Sequence, residues 1–201
     1  VKSPVILITS SVGGEGKSFT AMNLAMSFAL TNKKVILVGL DIRKPMLGEY
    51  MHLSKSNGVT MYISDPTHSV DDVIIPSGIH KSLDVIPAGP IPSNPAELLM
   101  NSRLDDLIAE LRNRYDYVII DSAPVGVVSD TYLLNRFLDS AVYVSRQHYT
   151  PKAVTELINE IHDHQKLKNI GLVLNGVDEA TGYGYGYGYG YGHARESKKF
   201  K

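Results

Sequence analysis

An α/β fold, a mostly parallel β-sheet with helices on both faces, is predicted by three observations. Apolar, β-branched runs of strand length recur at residues 5–8, 35–40, 83–86, 117–120, 141–144 and 170–174. Most are separated by stretches with helical periodicity. The runs are apolar throughout instead of alternating, which marks strands buried on both faces between layers of helices.

The first run leads into Ser10-Ser11-Val12-Gly13-Gly14-Glu15-Gly16-Lys17-Ser18. A strand entering a glycine-rich turn closed by Gly-Lys-Ser is a phosphate cradle. Glycines let successive backbone N–H groups curl around an anion, and the following helix offers its positive N-terminus. The loop Gly13, Gly14, Glu15 and Gly16 thus points to nucleotide binding, with Lys17 on the β/γ-phosphates and the Ser18 hydroxyl on Mg²⁺. Ser11 stands where the general motif has its first glycine. Behind the loop, Ala21, Leu24, Ala25 and Phe28 form one apolar helix face. The second run ends in Asp41-Ile42-Arg43, which places a carboxylate and a guanidinium at the same sheet edge as the loop. Residues 46–82 are broken by Asn57-Gly58, Asp65-Pro66 and Ser77-Gly78, so short helices and loops are expected there. Asn94-Pro95-Ala96-Glu97 reads as a helix start with Asn at the N-cap and Pro at the first position. The run at 117–120 ends in Asp121, positioned to ligate Mg²⁺ or support its outer shell. Thr150-Pro151 repeats the cap-plus-Pro device. Asn175 closes the last strand, and Arg146 lies just past the fifth.

The chain of 201 residues is read as one domain over 1–178 with a distinct tail over 179–201. The net charge of −1 supplies no basic footprint, so a nucleic-acid partner is not expected. With no cysteine, disulfides, thiol nucleophiles and Cys-type zinc sites are excluded. The histidines lack metal-ligand spacing, His162 and His164 pointing apart on a helix. Apolar runs fall short of the ~20 residues of a membrane helix. Because Val1 precedes the first strand by only a few residues, an upstream segment is expected to be missing. In the tail, residues 182–192 alternate Gly and Tyr, giving Tyr183, Tyr185, Tyr187, Tyr189 and Tyr191, and Arg195, Lys198, Lys199 and Lys201 follow. Such a segment is expected to be disordered unless bound. It reads as a phospho-acceptor or as a low-complexity, strand-forming adhesive element.

Five features, in order, resemble the bacterial tyrosine kinases: the Ser-Ser-x-x-Gly-Glu-Gly-Lys-Ser loop, Asp41-Ile42-Arg43-Lys44-Pro45, the segment from Gly89 to Leu99, the Asp121 strand and the C-terminal tyrosine cluster. The resemblance spans nearly the whole chain. It implies a P-loop NTPase-type fold and an autokinase that uses ATP and Mg²⁺ to phosphorylate its own tail tyrosines in trans within a ring-like homo-oligomer. Carried over by position, Lys17 and Ser18 serve the phosphates and Mg²⁺. Asp121 matches the Walker B aspartate, and Asp41 with Arg43 match the additional Walker A′ motif. Both aspartates lie near the metal, and Asp41 accepts the tyrosine proton. Asn175 resembles the asparagine that related ATPases turn toward adenine. The resemblance further implies capsule or exopolysaccharide synthesis and export, a transmembrane activator of the polysaccharide co-polymerase type, fused upstream or separate, an opposing tyrosine phosphatase, and a cytoplasmic place at the inner face of the bacterial membrane.

Two departures shape the alternatives. Gly39 occupies the first Asp position of the family's Asp-x-Asp-x-Arg, which admits a nucleotide-binding scaffold with weakened transfer. Val12 stands where partition and cell-division ATPases carry a second lysine, which argues against an ATPase switch of that class.

Overall fold

The computed structural model describes residues 3–54 and 56–178. Seven strands form one sheet in the order β3-β4-β2-β5-β1-β6-β7. They are β1 (Val5–Ser10), β2 (Val35–Leu40), β3 (Ile75–Pro76), β4 (Leu83–Ile86), β5 (Tyr117–Ser122), β6 (Ser140–Arg146) and β7 (Ile170–Asn175). All six expected strands are present, and every ladder among them is parallel. The short β3, which pairs antiparallel with β4, was too brief to carry a periodic signal.

The central strands are sealed on both faces. Residues 35–40 are buried without exception, and β1 and β5 nearly so. One face packs on α1 (Lys17–Leu30), where fully buried Ala21, Ala25 and Ala29 let the helix approach the sheet closely. Leu24 and Phe28, expected on the same face, lie partly buried beside them, and Phe28 stacks on Tyr117 with ring centroids 4.0 Å apart. The other face is covered by α5 (Ser102–Arg114) through Leu104, Leu107, Ile108 and Leu111, helped by α3 (Val59–Ser64), α4 (Pro95–Met100) and α6 (Val154–Asp163). The segment 46–82 holds two short helices, α2 (Leu47–Tyr50) and α3, as expected, and the two-residue β3.

Of the two expected helix starts, the one at Asn94-Pro95 is in place and the one at Thr150-Pro151 is not. Asn94 occupies the N-cap of α4, but its amide donates to the Glu97 carboxylate at 2.6 Å instead of accepting a backbone N–H. Thr150 does not cap α6, which begins at Val154. Its hydroxyl accepts the Arg146 N–H at 2.7 Å and bonds Glu15 in the phosphate loop, a tertiary role that overrides the local one.

No described helix is long and apolar enough to cross a membrane.

Candidate active site

Parallel strands deliver their carboxyl ends to one edge, so β1, β2, β5, β6 and β7 place five sets of loop residues side by side. The phosphate loop lies between β1 and α1, with Gly14 and Gly16 at φ 89° and 99°. These backbones favour glycine, and space enforces it. A Cβ on Gly16 would lie 2.1 Å from Asn175 Nδ2, and one on Gly14 would lie 2.6 Å from the Tyr149 hydroxyl.

Lys17 Nζ reaches Asp41 Oδ2 at 2.9 Å and Asp121 Oδ1 at 3.5 Å, and it donates to Ser18 Oγ at 3.3 Å. All four residues are buried. Burial pulls the Lys17 ammonium toward neutrality, but the Asp121 and Asp41 carboxylates outweigh it and hold its pKa above 10.5. For Asp121 the balance is opposite: burial pushes its carboxyl up, and the attraction of Lys17 offsets that only in part. Asp41 Oδ1 accepts the Lys44 N–H at 3.0 Å, which fixes the carboxylate's orientation.

The residues present fit Mg²⁺. Asp121 Oδ1 is buried without a hydrogen-bond partner among the described residues. Ser18, Asp41 and Asp121 offer hard oxygen donors only, as Mg²⁺ prefers. No described group of three or more His, Asp or Glu could cage a metal alone, so the set suits a cation shared with nucleotide phosphates.

A cleft of about 760 Å³ opens over this cluster, lined by Gly13, Gly14, Gly16, Lys17, Ser18, Asp41 and Arg43 on one side and Arg146 and Tyr149 on the other. That volume is of the size small-molecule sites use. Arg43 borders the cleft, yet its Nε bonds the buried Asp130 at 2.6 Å on the 3-10 helix Ser129–Phe137. The hydrogen bond that Arg43 donates to Asp130 raises the Arg43 pKa. Arg43 is therefore held at the rim and not folded in on the Lys17 cluster.

Glu15 and Asn175 take places the sequence does not foretell. The Glu15 carboxylate turns inward, accepting from the Ser11 hydroxyl and the Val12 N–H, each at 2.8 Å, and from the Thr150 hydroxyl. Only its backbone is left to face a nucleotide. Asn175 Nδ2 donates to the Glu15 carbonyl at 3.0 Å and its Oδ1 accepts the Gly176 N–H, so the side chain supports the loop from beneath. Two more groups brace the same loop: Tyr149 donates to the Gly13 carbonyl at 2.9 Å and Arg146 to the Gly14 carbonyl at 3.1 Å. The turn 146–150 thus holds the loop carbonyls outward, which leaves the N–H groups for an anion. Arg146 stood out in the sequence by position, whereas Tyr149 gave no signal.

The AAA domain family model matches residues 3–174. Tyrosine-protein kinase YwqD of Bacillus subtilis (strain 168) is 37% identical over 171 residues, 85% of this chain and 71% of the relative. The chain belongs to the bacterial tyrosine kinases. Tyrosine-protein kinase CpsD of Streptococcus agalactiae is 31% identical over 180 residues, covering 89% and 78% of the two chains. Among solved structures, the kinase domain of the Escherichia coli tyrosine kinase ETK superposes with a TM-score of 0.82 at 30% identity, covering 93% of this chain and 72% of that one. A plasmid partition protein from Borrelia burgdorferi and the septum site-determining protein MinD from Pyrococcus horikoshii share the fold alone, at 22% and 19% identity. The expected acceptors Tyr183, Tyr185, Tyr187, Tyr189 and Tyr191 lie outside the described residues.

Proposed function

We propose that this bacterial tyrosine kinase is an autokinase that transfers the γ-phosphoryl group of ATP to the tyrosines of its tail, 179–201, presented by a neighbouring copy to the kinase domain, 1–178. The observation that carries this reading is the convergence of Lys17, Asp41 and Asp121 at the floor of a cleft wide enough for a nucleotide. Ser18, Asp41 and Asp121 would hold Mg²⁺, which when bound would supply charge neutralisation to the nucleotide phosphates. Lys17 exchanges its carboxylate partners for those phosphates and follows the charge that develops on the leaving oxygen. Asp41, which lines the cleft while Asp121 lies beneath it, accepts the phenolic proton. The tyrosine oxygen bonds to Pγ, and the bond from Pγ to the β,γ-bridging oxygen breaks with its electron pair leaving on ADP. The braced loop N–H groups hold the phosphates in line.

By family membership, this chemistry serves capsule or exopolysaccharide synthesis and export. Its partners are further copies of the chain in a ring, a transmembrane activator that holds the domain at the cytoplasmic face of the membrane, and a tyrosine phosphatase that resets it. Gly39 favours a second reading, a nucleotide-binding scaffold with weak transfer, because the position offers the metal no carboxylate. One experiment separates them. The purified chain is incubated with Mg-ATP and its phosphotyrosines are mapped by mass spectrometry. Phosphate on the tail is expected; nucleotide binding with no phosphotyrosine would favour the scaffold, and ATP hydrolysis without it a switch.

A further inference from the structure

The outer edge of β7 is unpaired among the described residues, its one ladder being to β6. Bonds from the Ala141 N–H to the Asn169 carbonyl and from the Gln147 N–H to the Asn175 carbonyl fix which β7 residues face β6: the odd-numbered ones. A parallel ladder uses alternate residues, so the backbone N–H and C=O of Leu172 and Leu174 point outward. Their side chains share one face and are 64% and 59% exposed. On the opposite face Val173 is 37% exposed and Gly171 adds no side chain. Residues 171–174 carry no charge. Free backbone beside a bare apolar stripe is an arrangement that proteins cover.

The chain itself continues, shortly past Asn175, with a segment that matches this edge in period and chemistry. Residues 182–192 alternate Gly and Tyr, and a period of two is that of a strand. All five tyrosines then lie on one face, and tyrosine is among the residues that strands favour. A one-residue slip would set glycines on the leucines, so burial of the apolar stripe selects the register that places tyrosines there. Gly176, at φ 64°, starts a turn at the end of β7, and the Asp178 N–H donates to Gln147 Oε1 at 3.1 Å, which leaves residues 179–181 to carry the chain back to the outer edge.

We propose that the unphosphorylated tail of this chain docks along the outer edge of β7 as an added antiparallel strand, its tyrosines packed on Leu172 and Leu174. Docking needs no ATP; its regulatory consequence rests on the reading of the tail as phospho-acceptor. A docked tyrosine is withheld from any active site. A phosphotyrosine brings about −1.5 to −2 charge over the apolar stripe and releases the strand.

The test is hydrogen exchange of single amides by NMR on the full chain without nucleotide, compared with a full-length variant in which all five tail tyrosines are serine. The Leu172 and Leu174 amides are expected to exchange about tenfold or more slowly in the parent chain than in the variant. The Val173 amide, turned toward β6, is expected to be equally protected in both and reports that the fold is intact. Equal, fast exchange at Leu172 and Leu174 in both chains overturns the proposal, as does protection that grows with protein concentration, which would assign the edge to the tail of a second copy. Leu174→Lys in the parent chain is expected to abolish the protection at Leu172; retained protection also overturns it. Phosphate mapping is a separate readout: protected amides without tail phosphotyrosine support docking and sink the acceptor reading.

Discussion

Lys17 and Asp41 form an ion pair at 2.9 Å that is almost wholly removed from solvent, in the place where nucleotide phosphates are to be bound. The lysine is therefore held ready by carboxylates that have their own use for a cation. Exchange of partners when nucleotide enters costs less than desolvating a free ammonium, because Lys17 already sits in the cleft floor.

Lys17→Met is expected to abolish phosphotyrosine formation and also to destabilise the fold. Removing one partner of a buried pair leaves uncompensated charge, at about 3–5 kcal/mol near neutrality. The deficit depends on pH with a definite sign. Burial holds the Asp121 carboxyl above its ordinary range, and without Lys17 it rises further. A carboxyl raised in the folded state contributes its full stability below the unfolded pKa and loses it as pH rises through the folded pKa. Thermal melts of variant and parent should thus diverge as pH rises from the ordinary carboxylate range, about pH 4, to neutrality and above. A constant gap across that window would refute the argument.

Asp41→Asn is expected to lower kcat by about 10²- to 10⁴-fold, the range for loss of a general base, and to weaken Mg²⁺ binding, while binding of nucleotide without Mg²⁺ changes little. The amide oxygen can still accept the Lys44 N–H, so orientation survives and only proton acceptance and charge are lost. Single-turnover phosphotyrosine formation alongside nucleotide titration with and without Mg²⁺ measures these. Weakened nucleotide binding with kcat unchanged would move Asp41 out of the proton-accepting role.

The convergence of Lys17, Asp41 and Asp121 is legible in the sequence because parallel apolar strands, once identified, deliver their ends to one edge. What surrounds the phosphate loop is not. Glu15 reads as a loop position, yet its partner Thr150 is 135 residues away and itself mimics a helix cap. Asn175 ends its strand as expected, but the contact with the Glu15 carbonyl depends on β7 lying two strands from β1 across β6, which no local pattern encodes. The rim position of Arg43 is hidden for the same reason, since Asp130 belongs to a 3-10 helix that has no clear period.

Glu15→Ala is expected to raise the KM for ATP by about tenfold or more with a smaller effect on kcat. The carboxylate satisfies the Ser11 hydroxyl, the Val12 N–H and the Thr150 hydroxyl, and its loss leaves buried donors unpaired at about 1–3 kcal/mol each. The loop then spends less time in the geometry that presents its N–H groups. Steady-state kinetics with a melting curve checks this; an unchanged KM in a folded variant would show that the brace is dispensable.

Gly39→Asp would supply the carboxylate that the resemblance implies at this position, and the structure shows what opposes it. A Cβ there meets the Ala88 backbone nitrogen at 3.0 Å and Leu47 Cδ2 at 3.4 Å, so the neighbouring chain must shift by a few tenths of an ångström. Overpacking of this kind costs about 1–3 kcal/mol. Gly39 also lies opposite Asp121 in the β2–β5 ladder, so a third carboxylate joins two that share one lysine. In chelator the variant should therefore melt well below the parent. With Mg²⁺ and nucleotide present the gap should narrow, because a cation bound to the folded state alone stabilises it in proportion to its affinity, and that affinity rises with each carboxylate added. Melting curves over a Mg²⁺ titration decide it. If the gap between Gly39→Asp and the parent is the same with chelator and with saturating Mg²⁺ and nucleotide, the side chain at 39 does not reach the metal, and its absence from this chain leaves the site's affinity for Mg²⁺ unaffected.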